Sequence, residues 1–157
     1  MIEPRRDDLL ACLRVSRWAE SVASRAYPTL LELERAAVAA ATPLTPAEVE
    51  EALAAHPRIG ERRQGDDAEA RFSRAEQSAS ASEDEALAAR LAELNAAYED
   101  RFGRVFLIRA AGRSRGEIVA EAQRRLGNDA AVELAEVADQ LRGIALLRLR
   151  ATYGEGS

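Results

Sequence analysis

Thr45-Pro46-Ala47-Glu48-Val49-Glu50-Glu51-Ala52-Leu53-Ala54-Ala55-His56-Pro57 is a helix with both of its ends written into it. Thr45 offers the N-cap oxygen, Pro46 takes the first helical position, and Glu48 completes a capping box. Val49 and Leu53, four residues apart, form the stripe that turns inward. Pro57 disfavours the α conformation at the residue before it, so the helix stops near His56. The only histidine of the chain therefore sits at a helix exit, where the negative end of the dipole favours an imidazolium.

The same punctuation recurs on both sides of this stretch. Toward the N-terminus, Leu9, Leu10, Leu13 and Arg17 trace one stripe of a helix over Pro4–Ala26, broken near Ser16. Trp18, the only tryptophan, reads as a core anchor. Tyr27-Pro28-Thr29 interrupts, and a second helix follows over Thr29–Ala41 with Leu30, Leu33, Ala37 and Val38 on one side. Toward the C-terminus, Arg58–Asp67 is charged and holds two glycines, the mark of a loop. The pattern is helical again from Asp67. Ser82-Glu83-Asp84-Glu85 opens a further helix to about Arg101, with Leu87, Leu91, Leu94 and Tyr98 as its stripe and Gly103 as its stop.

Val105-Phe106-Leu107-Ile108 is the one short apolar run of extended character. Ser114-Arg115-Gly116-Glu117 caps a helix to Leu126, closed by Gly127-Asn128, and a last helix runs from about Asp129 to Arg150. Its stripe is Val137, Leu141, Ile144 and then Arg148. An arginine at the next position of an apolar stripe either snorkels outward at the helix end or points inward at an anion. The expected fold is all-α: a single compact domain of six to eight helices over residues 1–157, with about 1–4 and 151–157 frayed.

Composition narrows the chemistry. All 22 basic residues are arginines, which eliminates a Schiff-base or pyridoxal-phosphate lysine. One His and one Cys are too few soft ligands for a conventional zinc site. The single cysteine, Cys12, rules out an intrachain disulfide and suits a reducing compartment. A net charge of −5 argues against a general nucleic-acid binder. With no signal peptide and no apolar run of membrane-spanning length, the expected address is the cytoplasm.

One stretch, Ala55–Gln77, gathers more chemistry than any other. It opens on His56 and closes on Ser73-Arg74-Ala75-Glu76-Gln77, where Ser73, Glu76 and Gln77 share one helix face at i, i+3 and i+4. A titratable base followed by a carboxylate and an amide is the material of an acid–base site.

These residues, with Ile59-Gly60, Leu94-Asn95-x-x-Tyr98-x-x-x-Phe102-Gly103, Arg125-Leu126-Gly127-Asn128 with Glu133, and Ile144-x-x-x-Arg148-Leu149, give the chain a resemblance over nearly its whole length. It resembles the 2-oxo-4-hydroxy-4-carboxy-5-ureidoimidazoline (OHCU) decarboxylase family of urate degradation. Two places depart from the family pattern. Phe102-Gly103-Arg104-Val105-Phe106 stands where the family reads Phe-Gly-Phe-Pro-Phe, and Ser16-Arg17-Trp18 stands where it reads Ser-Pro-Trp.

The resemblance implies a cofactor-free carboxy-lyase that expels CO2 and protonates one face of the resulting carbon to give (S)-allantoin. A neighbouring ring carbonyl can hold the electrons as an enolate, so the protein need supply only orientation, charge stabilisation and a proton donor. It implies His56, Glu76 and Arg148 as the catalytic residues. Pro57, Ser73 and Gln77 would bind substrate, together with Phe106, Leu107, Ile108, Arg109 and Ala110, largely through their backbone. Arg109 and Arg58 are alternates to Arg148 for the substrate anion. A small-molecule substrate, no metal, no nucleic acid, no membrane and a homodimer complete the expectation. The contrasting reading is a helical interaction module in which His56 and Glu76 are surface groups; an enzyme requires His56, Glu76 and Arg148 to converge.

Overall fold

Thr29, Thr45 and Ser114 each cap a helix in the computed structural model, which describes residues 1–55 and 81–154. Seven helices lie among the described residues: α1 (Arg6–Cys12), α2 (Ser16–Val22), α3 (Leu30–Ala40), α4 (Pro46–Leu53), α5 (Ala81–Phe102), α6 (Arg115–Leu126) and α7 (Ala130–Tyr153). The only β-type pairing among them is an isolated bridge between Ile2 and Tyr27. The fold is all-α, as the sequence predicts. Within the expected single domain the chain groups into two compact units, Met1–His56 with Ala130–Ser157, and Pro57–Asp129.

In the first unit α7 is the spine, packed against α1, α3 and α4, while α2 bridges α1 and α3. The break between α1 and α2 has a plain cause. Leu13 and Val15 adopt extended backbone and are both buried, with Arg14 exposed between them. That is a period of two, which a helix cannot serve. Trp18 is buried and its indole Nε1 donates to the Ala37 carbonyl oxygen at 2.8 Å, tying α2 to α3 and meeting the polar need of a buried Trp.

The capping box of α4 forms as read: Glu48 N donates to Thr45 Oγ1 at 3.1 Å and Thr45 N to Glu48 Oε1 at 3.0 Å. Glu48 also receives the Arg17 guanidinium, through Nε to Oε2 and through Nη2 to Oε1 at 3.2 Å. Arg17 is thus spent on α4 and on the Ala40 carbonyl.

Three sequence expectations need correction here. Ser82 does not open a helix but lies inside α5, which already includes Ala81. Near the ends expected to fray, Ile2 exchanges backbone hydrogen bonds with Tyr27, Arg5 N donates to the Tyr153 hydroxyl at 3.1 Å, and α7 continues helical through Tyr153. The core stripe of α7 is also displaced. Its buried residues are Glu133, Val137, Ala138, Leu141, Ala145 and Leu149, whereas Ile144 is half-buried and Arg148 exposed. Ala138 and Ala145 are buried, so the inward face runs through them.

The second unit is built on α5 against α6. Leu91, Leu94, Tyr98, Phe106, Ile108, Ile118, Val119 and Ala122 form its core, with Leu87, Phe102 and Leu126 at the margin. Gly103 ends α5 at φ +71°, a left-handed conformation that disfavours any side chain with a Cβ, and its N–H closes onto Glu99 O at 2.8 Å.

Candidate active site

The connection from α5 to α6 carries five of the residues implied to bind substrate. It leaves α5 at Gly103, runs without regular structure through Ala110, and turns at Gly112 (φ +78°), where Arg113 N donates to Ala110 O at 3.1 Å. Phe106, Leu107 and Ile108 are buried, while Arg109 and Ala110 are exposed. An apolar run places the backbone inside the unit, and a non-helical path leaves its polar groups outside any ladder. Among the described residues, nothing donates to or accepts from the backbone of Phe106 or Ile108.

Beneath this segment lies a fully buried arginine. Arg125, on α6, donates from Nη1 to the Leu107 carbonyl oxygen at 2.7 Å. Its guanidinium carbon stands 4.7 Å from the centroid of the Phe106 ring and 5.9 Å from that of Tyr98, within cation–π range of both. Tyr98 meets Phe102 at 4.7 Å and Phe106 edge-on at 5.2 Å, so the two rings that face the arginine also pack on each other. The sequence carried a signal for this. Ile118, Ala122 and Arg125 are spaced 4 and 3 on one face of α6, and an arginine standing on a core stripe must be satisfied inside. Glu133, in the first turn of α7, is likewise fully buried.

Arg148 belongs to the other unit. It is exposed, and its Nη1 donates to the Ala11 carbonyl oxygen at 3.2 Å, in the last turn of α1. Unlike Arg17, Arg124, Arg142 and Arg150, which pair with Glu48, Glu121, Asp139 and Glu34, Arg148 has no carboxylate partner among the described residues. Beside it, burial pushes the Cys12 thiol pKa up, with a hydrogen bond from Thr152 and the Arg148 charge working in the opposite direction. A thiol held in that state is a packing group rather than a nucleophile. His56, Pro57, Ser73, Glu76 and Gln77, with the alternate Arg58, lie outside the described residues.

No group of three or more His, Cys, Asp or Glu side chains among the described residues could hold a metal ion. No described helix is long and apolar enough to cross a membrane.

No curated protein matches the chain. Among solved structures it is similar to a crystal structure of OHCU decarboxylase in the presence of (S)-allantoin. Identity is 26% and the TM-score 0.76, over 97% of this chain and 100% of that one. It also shares the fold of a crystal structure of (S)-allantoin synthase at 20% identity and a TM-score of 0.68, over 93% of this chain and 48% of that one. The family model for OHCU decarboxylase matches residues 3–150, nearly the full length. The chain therefore belongs to the OHCU decarboxylase family and is a carboxy-lyase of urate degradation.

Proposed function

We propose that the chain decarboxylates 2-oxo-4-hydroxy-4-carboxy-5-ureidoimidazoline and protonates the product on one face, giving (S)-allantoin without a cofactor. The observation that carries this is the family match over residues 3–150. The bond from ring carbon to carboxylate breaks and CO2 departs. Its electron pair forms a double bond to the ureido-bearing carbon and displaces the ring C=N pair onto nitrogen, which takes a proton from solvent. The substrate hydroxyl gives its proton to His56 and becomes a carbonyl, and the carbon bearing the ureido group takes a proton from the imidazolium. Glu76 holds the imidazole or the hydroxyl. Ser73 and Gln77 bind ureido and ring amides, and Pro57 fixes the backbone at the histidine.

The main chain of Phe106 to Ala110 pairs with the ring's donors and acceptors. What supports this role is a buried, irregular backbone with the groups of Phe106 and Ile108 unengaged among the described residues. Arg148 meets the substrate's negative charge, supported by its lack of a carboxylate partner there. The enzyme works in the cytoplasm, as a homodimer. Leu31 and Val38 are exposed apolar residues on α3, with Glu34 and Arg35 between them. Antiparallel pairing of two copies of α3 sets Leu31 opposite Val38 and Arg35 opposite a Glu34 that already holds Arg150 of its own chain, a self-complementary pattern suited to a two-fold axis.

The test is to supply freshly made substrate in the presence of a strong chelator and follow circular dichroism. Protonation free in solution has no preferred face and yields a racemate without signal. The expected result is a growing (S)-allantoin signal proportional to enzyme. A signal no larger than the uncatalysed blank, or one restored only by added metal, would refute the proposal.

A further inference from the structure

The structure assigns Arg125 as a positioning residue that sets the direction of the Leu107–Ile108 peptide. This rests on the proposal that the 106–110 backbone binds substrate, and it concerns a residue that touches no substrate itself. A peptide unit is planar and trans, so its C=O and N–H point in opposite directions. The Leu107 carbonyl is held by Arg125 Nη1 at 2.7 Å inside the unit. The Ile108 N–H, on the same plane, is thereby aimed the other way. It has no acceptor among the described residues, so it is a donor fixed in direction and available to a ligand.

Arg125 is held for this by its surroundings. It is fully buried, packed on the Phe106 and Tyr98 rings, and carried by a helix whose N-terminus is locked by the Ser114–Glu117 capping box. A lysine would keep the charge but lose the planar fork, and its flexible stem would not define the carbonyl's direction. The segment has no ladder of its own to replace that restraint.

The experiment compares Arg125→Lys and Arg125→Met with wild type in kcat, KM, (S)-allantoin Kd and Tm. Loss of a fixed donor should raise KM and Kd on the order of tenfold in the folded fraction, with kcat changed less. A folded variant with unchanged KM and Kd overturns the inference. If neither variant folds, an ester in place of the Leu107–Ile108 amide, made by semisynthesis, removes the Ile108 N–H and weakens the Leu107 acceptor. It should raise KM and Kd to the same degree, and unchanged values again overturn the inference. Should wild type itself neither turn over substrate nor bind (S)-allantoin, the proposed function fails instead, so the two failures are distinct.

Discussion

Arg148→Met separates a structural arginine from a substrate-binding one by a comparison of two magnitudes. The structural share is small. Arg148 is exposed and makes one long hydrogen bond, 3.2 Å, to Ala11 in the last turn of α1. An exposed cation at a helix C-terminus contributes about 0.3–1 kcal/mol, so the substitution should lower Tm by no more than about 2–4 °C. The functional share is larger. A charge-assisted hydrogen bond to a substrate anion is worth about 1.5–3 kcal/mol, or roughly ten- to a hundredfold in kcat/KM. Arg148→Lys keeps the charge but not the fork, and should fall between wild type and Arg148→Met in turnover while melting like wild type. Initial rates of (S)-allantoin formation by circular dichroism, with melting curves on the same samples, give both numbers. A fully active Arg148→Met enzyme would refute the assignment and move the role to Arg109. A Tm loss well beyond 4 °C would show the structural share to be underestimated.

His56→Gln should fold, since the capping box and Pro57 set the local backbone, yet lose on the order of a hundredfold in rate; normal turnover would end its acid–base assignment. Glu76→Ala should likewise damage turnover more than Tm, and the reverse pattern would mark it as structural. The Arg17 guanidinium holds the Glu48 carboxyl below its usual range, so the pair's stability is present above the unfolded carboxylate pKa and is lost as pH falls through the folded one. Because Arg17 is half-exposed, Glu48→Gln should cost only about 1 kcal/mol at pH 7. Its Tm gap from wild type should close on acidification, and a gap constant with pH would exclude the linkage. Arg35→Glu sets like charges against each other across the proposed two-fold, so light scattering should show a shift toward monomer; an unchanged mass would place the dimer contact elsewhere.

The helix starts at Thr45 and Ser114 were legible because capping is local chemistry, acting on backbone donors within three residues. The same pattern at Ser82 lies inside α5, so it marks no helix start. The stripe of α7 was misread because burial is not local. Which face turns inward depends on how closely neighbouring helices approach, and in an alanine-rich chain Ala138 and Ala145 serve as core where larger residues were sought. By spacing alone Arg17 shares a stripe with Leu9 and Leu13, but the extended break at Leu13–Val15 resets the phase and leaves it on the surface facing Glu48. In the candidate site, the apolar run Val105–Ile108 was legible as extended. Its tether was not, because Arg125 lies 18 residues from Leu107 and only packing joins them.

The segment between Gly103 and Gly112 is anchored at two left-handed corners and at one carbonyl midway. The anchors do not use the side chains at 104 and 105, whereas Phe106 packs on Arg125 and belongs with Ile108 to the core. Recognition by such a backbone is therefore insulated from drift at 104 and 105, where Arg104-Val105 can replace a Phe-Pro pair while the donors and acceptors stay where they are. Length has no such freedom. One residue added or removed between the two glycines would invert the peptide alternation and turn donors into acceptors, so this stretch should resist insertion even where, as at 104 and 105, it tolerates substitution.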